Sequence, residues 1–251
     1  MSQEDSDQQL AKTLDLFFKE GEARELRAFR VQSSEFEPPK NFFAVITERD
    51  KAIEIVRQWD NRAAKGVYFT FNPLDVTKLD CPLNKSLPLN KGVAATDAIV
   101  VERQWLLVDV DPERNPKTAP ATDEEKNHAV TVAKRVEVYL ANLGWPEPIR
   151  ADSGNGRHLY YGVSLPTVDE GLVSRVLRAL AGLFDTSEAK VDIKVFNPSR
   201  VTRFYGTTNR KGEQNSKRPH RSTTVLTVPD EIHKVSQELL VKILDTVPEK
   251  P

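Results

Sequence analysis

The stretch "LLVDVDP", residues 106–112, places two carboxylates in an otherwise apolar run. Because side chains alternate between the two faces of a strand, Asp109 and Asp111 share one face and the apolar residues occupy the other. A buried carboxylate is costly unless a basic partner or a cation compensates it. The stretch therefore predicts a strand that ends at a polar site.

The segments around this strand follow the order β-α-β-β-α-β, which is typical of the ferredoxin-like, split β-α-β topology. They are a strand at 98–111, a helix at 122–143, strands at 147–152 and 157–165, a helix at 168–184 and a strand at 190–196. In that topology the first strand is central and antiparallel to the third and fourth. We therefore expect Asp109 and Asp111 to lie beside His158 and Asp192.

The remaining sequence predicts a second, smaller module. Residues 1–97 carry an amphipathic helix, two strands with a helix between them and an irregular segment; the predicted ranges are 8–18, 41–47, 49–63, 66–73 and 72–97. Beyond the split β-α-β unit we expect strands at 201–206 and 223–228 and a helix at 230–245. The predicted fold class is thus α+β, with an RRM-like, ferredoxin-like split β-α-β module at 98–246 packed against an N-terminal α/β module, and with a linker or tail beginning at 247–251.

Composition restricts the function classes. The 36 Lys and Arg residues balance 37 Asp and Glu, giving a net charge of −1, so any nucleic-acid contact requires local segregation of charge. The single cysteine, Cys81, excludes an internal disulfide and a cysteine-rich zinc site. The polar, acidic start is no signal peptide, and the apolar runs are too short to span a membrane, so we expect a cytoplasmic protein without a membrane partner.

Convergence of Asp109, Asp111 and Asp192 predicts a metal site. Three neighbouring carboxylates do not all remain ionised without a cation, and oxygen ligands suit Mg²⁺ or Mn²⁺. Two such ions can clamp the attacking and leaving oxygens of a phosphoryl transfer, which makes these acids the candidate catalytic and metal-binding residues. A lone D-x-D is equally explained by Asp111 capping the turn and Asp109 pairing with a base, and Asp192 alone by a solvent-facing acid.

The turn "SGNG" and the residues after it predict a phosphate site, since small residues let backbone N–H groups approach an anion. The candidate nucleotide-binding residues are Ser153, Gly154, Asn155, Gly156, Arg157 and His158. Strand alternation places Arg157 and His158 on opposite faces, which favours His158. The alternative is an ordinary hairpin turn with a buried histidine.

A basic stretch follows the fourth strand, with eight Lys and Arg residues between 194 and 221 against one acid. Arg200 and Arg203 are nearest to the predicted site and are candidates for binding a triphosphate. The candidate DNA-backbone contacts are Arg210, Lys211, Lys217, Arg218 and Arg221. A solvated loop is the alternative interpretation. Tyr160, Tyr161, Phe204 and Tyr205 are candidates for stacking bases, although core packing is the favoured interpretation for most of them.

These motifs resemble the archaeo-eukaryotic primase superfamily, in particular the primase-polymerases of phages, plasmids and mobile elements. "VDVD" is similar to the family's acid-x-acid motif, "GRH" (156–158) to its small-x-His motif, and "VD" (191–192) to its third motif. "NPSRVTRFYGTTNRKG" and "GVYFTFNPLD" also look like family segments, so that the resemblance covers about residues 40–215. Gly156 stands where the family often has serine.

The resemblance implies template-directed nucleotidyl transfer on single-stranded DNA, with NTP or dNTP as substrate and Mg²⁺ or Mn²⁺ as cofactor. It also admits a helicase or primer-binding domain, C-terminal to this chain or separate from it, as a partner. A metal-dependent nuclease would use the same acids but needs no triphosphate cradle. A non-catalytic replication-initiator module would bind nucleic acid through exposed aromatics on the central strands, where this sequence has carboxylates.

Overall fold

The computed structural model describes residues 2–32, 36–89 and 95–246; the predicted linker at 247–251 lies outside the described residues. The helices are α1 (Gln3–Phe17), α2 (Arg49–Asn61), α3 (Asp123–Asn142), α4 (Leu172–Phe184) and α5 (Gln237–Asp245). The strands of the first half are β1 (Arg24–Val31), β2 (Lys40–Ile46), β3 (Gly66–Thr70), β4 (Leu87–Pro88) and β5 (Arg103–Pro112). Those of the second half are β6 (Ile149–Asp152), β7 (Arg157–Leu165), β8 (Ala189–Val191), β9 (Val201–Arg203), β10 (Thr208–Asn209), β11 (Arg221–Ser222) and β12 (Thr224–Thr227).

The sheet that contains the D-x-D strand has the order β12-β6-β7-β5-β8. Its strand β5 is central and runs antiparallel to both β7 and β8, as the split β-α-β topology predicts. The register pairs Asp109 with His158 and Asp111 with Lys190. The α+β class and the antiparallel neighbours of the D-x-D strand are confirmed.

The helices of this unit are set by local sequence signals. Thr122 caps α3: its hydroxyl accepts a hydrogen bond from the backbone N–H of Glu125, while the Glu125 carboxylate accepts one from the N–H of Thr122. This capping box satisfies two N–H groups that a helix start leaves unpaired. Along α4, Val173, Val176 and Leu180 are buried on one apolar stripe. Both helices contact the sheet and leave the acids of β5 on its other side.

A second sheet, the N-terminal sheet, has the order β4-β2-β1-β3-β9. It combines the two halves of the chain, because β9 follows β8 in the sequence. One of its faces packs into the core through fully buried Leu26, Ala28, Val67 and Phe69. The strand β1 is an element that we did not predict from the sequence. Its charged residues obscure the alternation, and a bulge between Ala28 and Val31 interrupts it.

The largest apolar core is continuous between the two sheets, and the predicted core tryptophans Trp59, Trp105 and Trp145 are buried. The division into modules at 1–97 and 98–246 stays a prediction. Of the helices described, none combines the length and the apolar character that crossing a membrane requires.

Several predicted elements are shorter than expected, and local hydrogen bonds explain two of them. The strand predicted at 190–196 ends at Val191, and the following residues form turns. The carboxylate of Asp192 accepts a hydrogen bond from the backbone N–H of Lys194 at 2.8 Å, which bends the chain out of the sheet. The helix predicted at 230–245 begins at Gln237, where the hydroxyl of Ser236 accepts a hydrogen bond from the N–H of Leu239.

Candidate functional site

A cleft of about 320 Å³ lies over the end of β5 and contains most of the predicted site. Its walls come from both sheets, since Phe29 and Tyr68 belong to the N-terminal one. The predicted site residues that line it are Asp109, Asp111, Ser153, Asn155, His158, Asp192, Arg200, Arg203 and Lys211. The convergence of residues separated by about half the chain is thus present in the structure.

Asp109 and His158 face each other across neighbouring strands. The imidazole Nε2 lies 3.3 Å from Oδ1 of Asp109, and Nδ1 shares a hydrogen bond of 2.7 Å with the hydroxyl of Tyr205. That hydroxyl is in turn 2.7 Å from the hydroxyl of Tyr160, which bonds to Thr202. The buried hydroxyl network therefore fixes the imidazole ring and directs Nε2 towards the acid.

The pKa values of the two acids of β5 are shifted in opposite directions. Burial alone would raise the pKa of Asp109, but the facing His158 imidazole, together with Arg203 and Lys211, lowers it below its ordinary value. Burial and the neighbouring Asp109 carboxylate raise the pKa of Asp111, and Arg114 and Lys211 only partly oppose this increase. Two adjacent carboxylates, one with a raised pKa, form a site at which a bound cation would be favourable.

The acid pair fits a divalent cation. Oδ1 of Asp109 is buried and contacts Nε2 of His158 at 3.3 Å, but among the described residues it forms no well-aligned hydrogen bond, so that a lone pair is available to a ligand. Asp192 also lines the cleft, and its backbone N–H donates to the carbonyl of Asp109 at 2.8 Å. Its carboxylate, however, holds the turn at Lys194, and within the described ranges no group of three or more His, Cys, Asp or Glu side chains is arranged to hold a metal ion. The role of Asp192 as a third ligand stays a prediction.

The glycine-rich turn uses most of its polar groups internally. The N–H of Gly154 donates to the Asp152 carboxylate at 2.7 Å, and the N–H of Gly156 donates to the Ser153 hydroxyl at 2.9 Å. The Asn155 side chain accepts a hydrogen bond from the N–H of Ala121, just before α3. These contacts stabilise the turn, and its binding of phosphate stays a prediction.

Arg157 is not brought into the cleft. Strand alternation turns it to the opposite face of β7, where it lines a groove beside Lys134 and Glu137 of α3. The sequence analysis favoured His158 for this reason, and the structure places His158, rather than Arg157, beside the acids.

The cations of the cleft include one that we did not identify from the sequence. Arg114, in the loop after β5, is 9% exposed, and its Nη2 lies 3.9 Å from the Asp111 carboxylate. Arg114 is thus one of four basic residues that line the cleft around the acid pair; the others are Arg200, Arg203 and Lys211. Partial burial and the neighbouring Arg114 lower the pKa of Lys211. Arg114 follows Asp111 by three residues, and this spacing is the sequence signal that could have identified it.

The basic stretch at 210–221 is largely neutralised by acids of the same chain. Arg210 pairs with Asp60, Arg218 forms two hydrogen bonds with Glu125, and Arg221 pairs with Asp123. Lys217 is exposed and Lys211 reaches the cleft. The contact of these residues with DNA stays a prediction, and their charges are less free than the sequence indicates.

The aromatic residues near the motifs belong mainly to the core. Tyr160, Tyr161, Phe204 and Tyr205 are at most 1% exposed, which confirms the core-packing interpretation. Phe29 and Tyr68 are the partly exposed aromatics at the cleft, and neither was singled out by the sequence.

Comparison with known proteins finds a similarity at the level of the fold. No protein-family model matches the chain, and no curated protein matches its sequence. Among solved structures, the crystal structure of primase RepB' matches with a TM-score of 0.52 at 10% sequence identity, covering 95% of this chain. This chain has the fold of primase RepB'. It spans 62% of the length of that primase chain.

A second match is the crystal structure of the catalytic domain of primase RepB' in complex with initiator DNA, with a TM-score of 0.48 and 11% identity over 95% of this chain and 93% of that one. The primase resemblance expected from the short motifs is thereby confirmed at the level of the fold. The short motifs indicated this likeness, which an overall sequence identity of 10% does not reveal.

Proposed function

We propose that the chain is a template-directed nucleotidyltransferase, a primase-polymerase that adds nucleotides on single-stranded DNA. The observation that carries the proposal is the Asp109–Asp111 pair facing His158 in a cleft lined by four basic side chains, on a fold shared with a primase. Neither a fold nor an acid pair alone specifies this reaction, but the acids, the cations and the fold agree.

Asp109 and Asp111 would hold the divalent cation, Mg²⁺ or Mn²⁺, with Asp192 as the proposed additional ligand. When bound, the cation supplies electrostatic stabilisation of the reacting phosphoryl oxygens. The buried Oδ1 of Asp109, which lacks a well-aligned hydrogen bond, and the raised pKa of Asp111 support this assignment, because a bound cation would stabilise both carboxylates.

The basic side chains of the cleft would bind the triphosphate of an NTP or dNTP. Arg203 and Arg114 are at most 9% exposed, and each retains a buried nitrogen that lacks a hydrogen-bond partner in the part of the chain that the structure describes. Such donors are costly to bury unless a ligand accepts from them. His158, fixed by Tyr205, would orient the nucleotide beside the acids.

The test is an incorporation assay with a single-stranded template, labelled NTPs or dNTPs and Mg²⁺ or Mn²⁺, with and without a primer. We expect incorporation by the wild type and none by Asp109→Ala or Asp192→Ala, while both variants still fold and bind DNA. His158→Ala should chiefly raise the apparent KM for the nucleotide. Full incorporation by either aspartate variant would refute the metal assignment.

The same assay separates the alternatives. Shortening of the labelled strand without extension would indicate a nuclease, and binding without either reaction would indicate a non-catalytic module. Four cations at the acid pair favour transfer over hydrolysis, since a nuclease has no triphosphate to bind.

A further inference from the structure

Three side chains from neighbouring strands of the N-terminal sheet form a stack at the cleft. The register places Tyr68 of β3 directly opposite Arg203 of β9, and Phe29 of β1 opposite Gly66. The guanidinium of Arg203 lies 4.4 Å from the centroid of the Tyr68 ring, and the Phe29 ring meets the Tyr68 ring edge-on with centroids 5.4 Å apart. Because residues on one sheet face form a continuous surface, these three constitute a single wall, the Phe29–Tyr68–Arg203 stack.

The backbone around this stack is shaped to form it. A bulge interrupts β1 between Ala28 and Val31, and Arg30 within it has a φ of 54°. The bulge lies just after Phe29, which keeps the regular register with Gly66 and therefore shares the face of Tyr68. Gly66 provides the space: a Cβ at this position would collide with Nη1 of Arg203 and lie 2.8 Å from the Tyr68 ring.

The stack lies where two cavities meet. Phe29, Tyr68, Arg203 and Lys211 line both the acid cleft and an adjoining groove of about 790 Å³. Among the described residues lining these two cavities, Phe29 and Tyr68 supply the aromatic rings, and both are partly exposed. The groove also carries Lys65, an exposed cation. A surface of rings between cations matches a ligand with flat bases and a phosphate backbone.

Arg203 provides an independent indication of a ligand. Arg203 is only 7% exposed, and its Nη1 has no hydrogen-bond partner in the described ranges. A buried guanidinium donor without a partner is destabilising unless a bound group accepts from it. The guanidinium lies over the Tyr68 ring, and its Nη1 lies against Gly66 at the edge of this stack.

We propose that the Phe29–Tyr68–Arg203 stack binds a nucleobase next to the acid pair. The inference rests on the proposed function and extends it, because it assigns base binding to the N-terminal sheet. The base belongs either to the single strand in the groove or to the nucleotide in the cleft. Both present the same flat aromatic chemistry, and the experiment below distinguishes them.

The test compares ligands with and without bases. Affinities are measured for a single-stranded oligonucleotide against an abasic strand of equal length, and for a nucleoside triphosphate against inorganic tripolyphosphate. Phe29→Leu and Tyr68→Leu remove the rings but keep apolar volume, Tyr68→Phe keeps the ring, and Lys65→Gln removes a groove charge. Thermal melting verifies that each variant is folded.

We expect each leucine variant to lose about 10-fold in affinity for one base-containing ligand and nothing for its base-free counterpart, which corresponds to the loss of one stacked base. Tyr68→Phe should bind as the wild type, and Lys65→Gln should weaken both strands equally with a smaller salt dependence. Loss in the strand arm assigns the base to the strand, and loss in the triphosphate arm assigns it to the nucleotide.

An unchanged base preference in both arms, or an equal loss with base-free ligands, would overturn the proposal. The outcome is separable from that of the proposed function. A wild-type protein that shows the base preference but incorporates no nucleotide would refute the transferase assignment and leave the stack intact.

Discussion

Gly156 is the residue at which a single methyl group should disturb both stability and the site. Its φ lies outside the left-handed region, so alanine is permitted by the backbone and the effect is steric. A Cβ at this position would collide with the carbonyl oxygen of Val110 and lie 3.3 Å from Cα of Asp111. The strand that carries the acids must therefore move away from the turn.

The expected magnitude follows from this collision. Overpacking against backbone costs about 1–3 kcal/mol, and about 2–4 °C in melting temperature accompanies each kcal/mol for a chain of this size. Displacing Asp111 by about 1 Å would lower the incorporation rate about 100-fold. The matched control is Gly182→Ala inside α4, where a Cβ has no neighbour within 4 Å; it should be neutral or stabilising by about 0.5–1 kcal/mol.

The assay is thermal melting together with nucleotide incorporation for Gly156→Ala, Gly182→Ala and the wild type. If Gly156→Ala melts and incorporates like the wild type, the close approach of the turn to β5 is not as described. A loss in both glycine variants would indicate a general sensitivity rather than the local collision.

Two further predictions concern contacts around the site. Tyr205→Phe removes the hydroxyl that bonds both to Nδ1 of His158 and to the Tyr160 hydroxyl. The free energy of unfolding in urea should fall by about 1–3 kcal/mol, and the KM for nucleotide should rise. An unchanged KM would show that Tyr205 does not position His158. Arg218→Ala removes the two hydrogen bonds to Glu125 that, as the largest cause, lower the pKa of this carboxyl. Arg218 also donates to the carbonyl of Pro120, and the loss of that bond does not depend on pH. Because the folded pKa of Glu125 is depressed, the variant should lose a further ~0.5–1 kcal/mol above pH 4.5, and this further loss should vanish as the pH falls through the lowered value; a stability difference that is the same at every pH would contradict the ion pair.

The sequence predicts the acid site because strand alternation and topology are local and regular. Alternation put Asp109 and Asp111 on one face, and the split β-α-β order put His158 beside them; the structure has both. Asp192 shows the limit of the same reasoning. "KVDIKVF" alternates like a strand, but the Asp192 carboxylate binds its own backbone at Lys194 and ends the sheet pairing.

What the sequence did not reveal depends on long-range contacts. Phe29 was missed because β1 was not predicted: its charged residues hide the apolar face, and a bulge ends the regular pairing with β2 after Ala28. Arg114 is an exception, since it lies only three residues after Asp111 and its spacing could have indicated the contact. The charges of Arg210 and Arg218 looked available because their acidic partners, Asp60 and Glu125, are 150 and 93 residues away along the chain.

Binding of a divalent cation by the acid pair is the measurement that tests the account most directly. Mn²⁺ is titrated into the wild type, Asp109→Asn, Asp111→Asn and the Gly182→Ala control, and free Mn²⁺ is followed by electron paramagnetic resonance. We expect binding by the wild type and the control and a loss of this binding in both asparagine variants. Mn²⁺ binding of wild-type strength in Asp109→Asn and Asp111→Asn would contradict the account.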